Sequence, residues 1–183
     1  MEVLDIMQTI VDEVSAEITP YLKTLDPLIE GVRFDYGHPS ELVGRLAEMT
    51  QGNKSKYRKY PLIGLFLDFP EKKGVAINVK SRAKLNMFLA NGTQFDWSSF
   101  QRNQNNFVPY LIPIRDSFFK HLSKSKFILQ PEGGLFDYTE VKRFYWGRQG
   151  FEFYENGKTN VFGDHIDAME FLGLEIDTAV PSC

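Results

Sequence analysis

Residues 61–69, PLIGLFLDF, and 75–90, VAINVKSRAKLNMFLA, carry the strongest structural signal in this chain. In the second stretch Ile77, Val79, Ala83, Leu85, Met87 and Leu89 share one parity, and Asn78, Lys80, Arg82, Lys84 and Asn86 share the other. Successive side chains of a strand point to opposite faces of a sheet, so this alternation predicts a long, half-buried antiparallel strand. The two stretches read as one hairpin, with its turn at Pro70-Glu71-Lys72-Lys73-Gly74.

Outward from that hairpin the period changes. Val3, Met7, Ile10, Val14 and Ile18 recur at steps of three and four, which predicts an amphipathic first helix, ended by Pro20 and Asp26-Pro27. Residues 32–36 form a short strand. Pro39 or Ser40 opens a second helix with Leu42, Leu46 and Met49 on one stripe and Gly52 just past its end. Asn91-Gly92 marks a turn. Phe100, Phe107, Leu111, Ile114, Phe118 and Leu122 line one side of a helical region over 97–124, which Pro109 and Pro113 break or kink. Pro131-Glu132-Gly133-Gly134 is a further turn. Strands follow at 141–146 and 150–154, the latter closed by Asn156-Gly157. A last strand over 168–177 turns Ala168, Leu172, Leu174 and Ile176 inward. This order predicts an α+β fold: helices packed on an antiparallel sheet, in one domain over 1–178 with a short tail, 179–183.

The bulk numbers are those of a folded domain: 183 residues, 43% hydrophobic and 25% charged. Aromatics reach 14%, which favours a large core and contact surfaces. A net charge of -3 argues against a dedicated nucleic-acid binder. The single cysteine, Cys183, excludes an intrachain disulfide and fits a reducing compartment. The acidic N-terminal segment lacks the basic region of a signal peptide, and no apolar run reaches membrane-spanning length.

Few residues suggest chemistry. Gly157-Lys158-Thr159 lacks the glycine five positions earlier that a phosphate loop needs; Glu152 stands there, so a hairpin tip is the better reading. Glu71 and Lys73, with Asp68 and Asp35, offer the groups of a divalent-metal nuclease, but they fall on the expected turn. His38, His121 and His165 are scattered, and none has an i, i+4 partner, so no cofactor or metal site is assigned. Two charge features remain. Lys54, Lys56, Arg58 and Lys59 form a basic cluster, whereas residues 159–183 hold Asp164, Asp167, Glu170, Glu175 and Asp177 but no Lys or Arg. A head-to-tail contact between the basic loop of one copy and the acidic edge of the next, through Asp164, Asp167 and Glu170, follows as an expectation. DNA binding through the basic loop is the alternative.

Lys59-Tyr60-Pro61-Leu62-Ile63 with its long hairpin, the proline-interrupted Phe-rich helix, the Trp146-Gly147 step and the closing run 160–170, NVFGDHIDAME, together resemble bacteriophage tail-completion proteins, also called tail terminators or neck proteins. Against the family pattern, residues 31–59 stand as an insertion with an extra helix. The resemblance implies a non-enzymatic virion protein, assembled in the bacterial host cytoplasm. It implies a homo-oligomeric ring, hexamer or dodecamer, at the head–tail junction. Connector, portal or tail-tube proteins would be its neighbours, and double-stranded DNA would pass through its centre without a membrane partner.

Overall fold

The computed structural model describes residues 2–49, 59–76, 79–144, 146 and 165–179. The first helix, α1 (Val3–Leu25), buries Val3, Ile6, Met7, Ile10, Val11 and Val14. It starts at a capping box in which the Asp5 carboxylate accepts a hydrogen bond from the Glu2 amide at 3.0 Å. Pro20 does not end it. The proline removes one backbone bond, yet Leu22 beyond it is fully buried and packing holds the last turn. The helix stops at Asp26, whose carboxylate accepts from the Leu28 amide at 3.1 Å.

The fold is α+β, and the described residues build a seven-stranded sheet with the order β1-β2-β4-β7-β5, with β3 on β4 and β6 on β7. The strands are β1 (Arg33–Gly37), β2 (Leu62–Phe66), β3 (Glu71–Ala76), β4 (Val79–Gly92), β5 (Ile128–Leu129), β6 (Thr139–Arg143) and β7 (Ile166–Ala179). The sheet is mixed rather than antiparallel throughout: β1 and β2 run parallel. The reason is the helix α2 (Pro39–Met49) between them, since a crossover carries the chain back to the same end of the sheet.

The long hairpin exists, but its turn is not at 70–74. Both β2 and β3 pair antiparallel with β4, so the first arm is a broken strand interrupted at 67–70. Pro70 sits just before β3, where it costs no ladder bond. Gly74, at φ 67°, lies within a register shift between Lys73 and Ala76 and supplies the left-handed residue of a bulge. The described pairing of the arms ends at Ala76 with Val79, and Ile77 and Asn78 lie outside the described residues. Asn91 and Gly92 are likewise not a turn: they end β4, opposite Asp167 and Ile166 of β7.

On β4 the expected inner face is real: Ala83, Leu85, Met87 and Leu89 are fully buried against the helices. The other face splits. Phe88 and Ala90 join a second, smaller core with Leu42, Leu46, Leu62, Trp146 and Ile166, beneath α2. Arg82 and Lys84 face water and pair with Asp177 and Glu175. On β7 one parity does not hold for the whole strand. Leu85 faces Leu174 and Met87 faces Phe171, so β7 carries an extra residue, and Gly173 there has φ 68°. Met169 and Phe171 therefore point inward before the bulge, and Leu174 and Ile176 after it. Ala168 packs on the opposite face, and Leu172 is only half-buried. The strand also takes in Ala179, which pairs with Val79, leaving 180–183 outside the described residues.

The Phe-rich region is a continuous helical rod: α3 (Ser99–Arg102), a π-helix (Asn103–Leu111) and α4 (Ile112–Lys124). Its backbone stays right-handed at both joints, with φ -61° and ψ -47° at Asn103 and φ -63° and ψ -49° at Ile112. The prolines therefore do not break it. The wider turn does shift the phase, by roughly a quarter turn between Phe100 and Phe107. Phe107, Leu111, Ile114, Phe118 and Leu122 are buried, while Phe100 is 74% exposed. The strand expected at 141–146 is β6, two residues earlier, and Trp146 lies beyond it in the second core.

Candidate functional site

The residues singled out from charge and motif are placed apart. Lys54, Lys56, Arg58, Asp164, Glu152 and the 157–159 triplet lie outside the described residues. Lys59 is 1% exposed, Asp167 0% and Glu170 9%, so these three are interior groups rather than contact groups. Glu170 pairs with Arg143 at 2.5 Å. The fold spends the charges of Asp167 and Glu170 on internal ion pairs. Asp35 is held by Arg33 and Arg45, each at 2.8 Å. Glu71 lies 3.7 Å from Lys73, which also reaches Glu2 at 3.3 Å. Asp35 is level with Gly64 and Phe88 of the sheet, and Glu71 with Ala83, five residues along β4. That offset is about 16 Å. The nuclease set is therefore not brought together, and among the described residues no three His, Cys, Asp or Glu side chains are placed to hold a metal ion.

A buried polar network was not visible in the sequence. Arg102 and Asp167 are both 0% exposed and paired at 2.9 Å. Arg102 also donates to Thr93 Oγ1 at 3.1 Å and to the carbonyl oxygens of Trp97, Gln94 and Phe95 at 3.0, 2.6 and 3.3 Å. The other Asp167 oxygen accepts from Asn106 at 2.9 Å, and Asn106 accepts from Asn91 at 2.8 Å. The guanidinium fork thus fastens loop 93–98 to the ends of β4 and β7 and to the helical rod.

Above this network opens a pocket of about 150 Å³, lined by Asp26, Tyr60, Gln94, Trp97, Asn105 and Tyr110 among others. The π-helix contributes Asn105, Asn106 and Tyr110. Burial first, then the nearby Asp26 and Tyr21, push the Tyr110 hydroxyl above its ordinary pKa. The segments that line the pocket also expose large apolar side chains: Leu28 at 58%, Phe95 at 51% and Val108 at 46%.

A second apolar surface stands at the other end of the molecule. Gly133 and Gly134, at φ 85° and 75°, turn the chain so that Leu135 projects, 82% exposed. Beside it lies a recess of about 420 Å³ formed by Phe119, Lys120, Ser123, Phe136 and Tyr138. The Phe119 and Tyr138 rings stack at 4.5 Å, and both pack edge-on to Phe171, at 5.4 and 5.8 Å. The two surfaces lie toward opposite ends of β4: Leu135 also lines a recess with Arg82 and Asp177, whereas Asn91 lines the pocket, nine residues along the strand and about 30 Å away.

No protein-family model, curated protein or solved structure matches this chain.

Proposed function

We propose that this chain is a structural ring subunit of a bacteriophage head–tail junction, a tail-completion or neck protein through whose ring genomic DNA passes. One observation carries the reading. Two unlike apolar surfaces, one around a polar pocket and one around a projecting leucine, sit at opposite ends of the subunit. A self-complementary pair needs one surface used twice. Unlike surfaces at opposite ends instead suit head-to-tail contact, which closes into a ring when the rotation permits. The family resemblance of the sequence is the second support for this reading.

Passage of DNA asks for a surface that does not grip phosphate. Three cations on the outer side of the sheet are matched: Arg82 with Asp177 at 2.7 Å, Lys84 with Glu175 at 3.2 Å and the exposed Arg143 with the largely buried Glu170. A cation so paired gains little from releasing the counterions of a duplex. Native mass and negative-stain imaging of the purified protein test the reading, with a closed ring of six or twelve copies expected. In phage produced without the gene, filled heads and finished tails should fail to join. Normal virions from such a deletion would refute the proposal.

A further inference from the structure

The pocket at the end of α1 has a chemistry that apolar packing between subunits does not require. Among the described residues, Asp26 is its only formally charged lining residue. Around it stand the rings of Tyr60, Trp97 and Tyr110 and the amides of Gln94 and Asn105. Arg102 lies close by but cannot serve Asp26, because its donors are directed to Asp167, Thr93 and three carbonyl oxygens below the pocket. A carboxylate, aromatic faces and amide oxygens converging on a small volume recognise an ammonium or guanidinium group. Leu28 and Phe95, exposed next to the lining residues Ile29 and Gln94, put apolar surface beside the pocket, the arrangement that keeps water from a central polar contact once a partner is seated.

The opposite end of the subunit carries the complementary group. No acidic residue occurs between His121 and Glu132. Within that interval Lys124 ends α4, and Lys126 follows it with its ammonium 5.0 Å from the Phe127 ring; both lysines are exposed. This segment adjoins the projecting leucine: Gln130 bonds to the Ser123 carbonyl, and Ser123 and Leu135 line the same recess. Resting on the ring-subunit reading, we infer that Lys124 or Lys126 of one copy enters the Asp26 pocket of the next, with Leu135 packing on the apolar surface beside it. The contact is heterologous, joining the far end of one subunit to the near end of its neighbour, so each copy uses both ends once.

The test is a charge exchange within one chain, read by sedimentation of the full-length protein at low salt. Asp26→Lys alone and Lys124→Glu with Lys126→Glu alone should each weaken self-association at least tenfold. All three changes together should restore it, because in a head-to-tail contact every chain supplies both swapped partners. Far-ultraviolet circular dichroism confirms folding, and recovery in the triple variant excludes damage to the monomer. If the wild-type chain assembles and the charge variants match it, the contact is wrong while the ring reading stands. A wild-type chain that stays a monomer to millimolar concentration overturns the ring reading and the contact with it.

Discussion

Replacing Arg102 by methionine tests whether the buried network holds the end of the sheet together. The substitution keeps much of the side chain's apolar bulk and removes the guanidinium. Asp167, 0% exposed, then loses its 2.9 Å partner, and Thr93 and three carbonyl oxygens lose a donor. Breaking a buried pair by removing one member costs about 3–5 kcal/mol, because a desolvated charge is left uncompensated. With a urea dependence of about 2 kcal/mol per molar, the unfolding midpoint should fall by roughly 1.5–2.5 M. The companion variant removes both charges, Arg102→Met with Asp167→Leu. Its penalty should be smaller than that of Arg102→Met alone, since no ion remains buried. About 1–3 kcal/mol persists because the Asn106 amide loses its acceptor. Urea titrations followed by circular dichroism measure both, and hydrogen exchange of the amides in 93–98 should accelerate in the single variant. A double-variant penalty equal to or above that of Arg102→Met, or a single-variant cost below about 1 kcal/mol, would refute the reasoning, because relief of the first loss by the second is the signature of a shared network.

Other consequences follow from particular positions. Gly64 faces Phe88 across the β2–β4 pair, and an added Cβ would stand 2.1 Å from the Phe88 ring. That ring is wedged between Phe66 at 5.2 Å and Trp146 at 4.8 Å, so Gly64→Ala should cost about 1–3 kcal/mol. Calorimetry should show a melting temperature lower by roughly 3–10 °C. At Gly173, φ 68° disfavours a branched side chain, so Gly173→Val should destabilise by about 1–3 kcal/mol and Gly173→Asn by less in the same titration. Hydrogen bonds from Lys120 and His121 lower the Glu17 carboxyl from 4.5 to about 2. A depressed folded-state value means its stabilising contribution is complete above about pH 4.5 and is lost as the pH falls toward 2. Glu17→Gln should therefore make the acid side of the stability profile shallower, and an unchanged profile would contradict the assignment.

What was legible in the sequence was legible through period. The alternation from Ala83 to Leu89 and the three-and-four spacing of α1 and α2 report local geometry, because burial selects side chains at the repeat of the element itself. The period misleads where geometry changes inside an element. Gly173 advances β7 by one residue and reverses its parity, so a reading that carries Ala168 inward with Leu174 fails at the bulge. The π-helix turns Phe100 away from Phe107 for the same kind of reason. Pro70 and Gly74, both turn residues by type, belong to a strand edge and a bulge because β4 continues past them and offers a partner.

The amino-acid order by itself determined the α+β class, the long antiparallel pairing and the apolar stripes of the helices, since each depends on neighbours within a few positions. Only the tertiary structure decided which charges are interior. Asp167 and Glu170 look like surface acids in a run of residues, but Arg102 and Arg143 arrive from 65 and 27 positions away to meet them. It also decided which residues meet at the pocket, bringing Asp26, Trp97 and Tyr110 together from three separate segments. The physical reason is the same in both cases: a charge or a ring acquires its role from what surrounds it in space, and that is set by chain closure over distances no local pattern records.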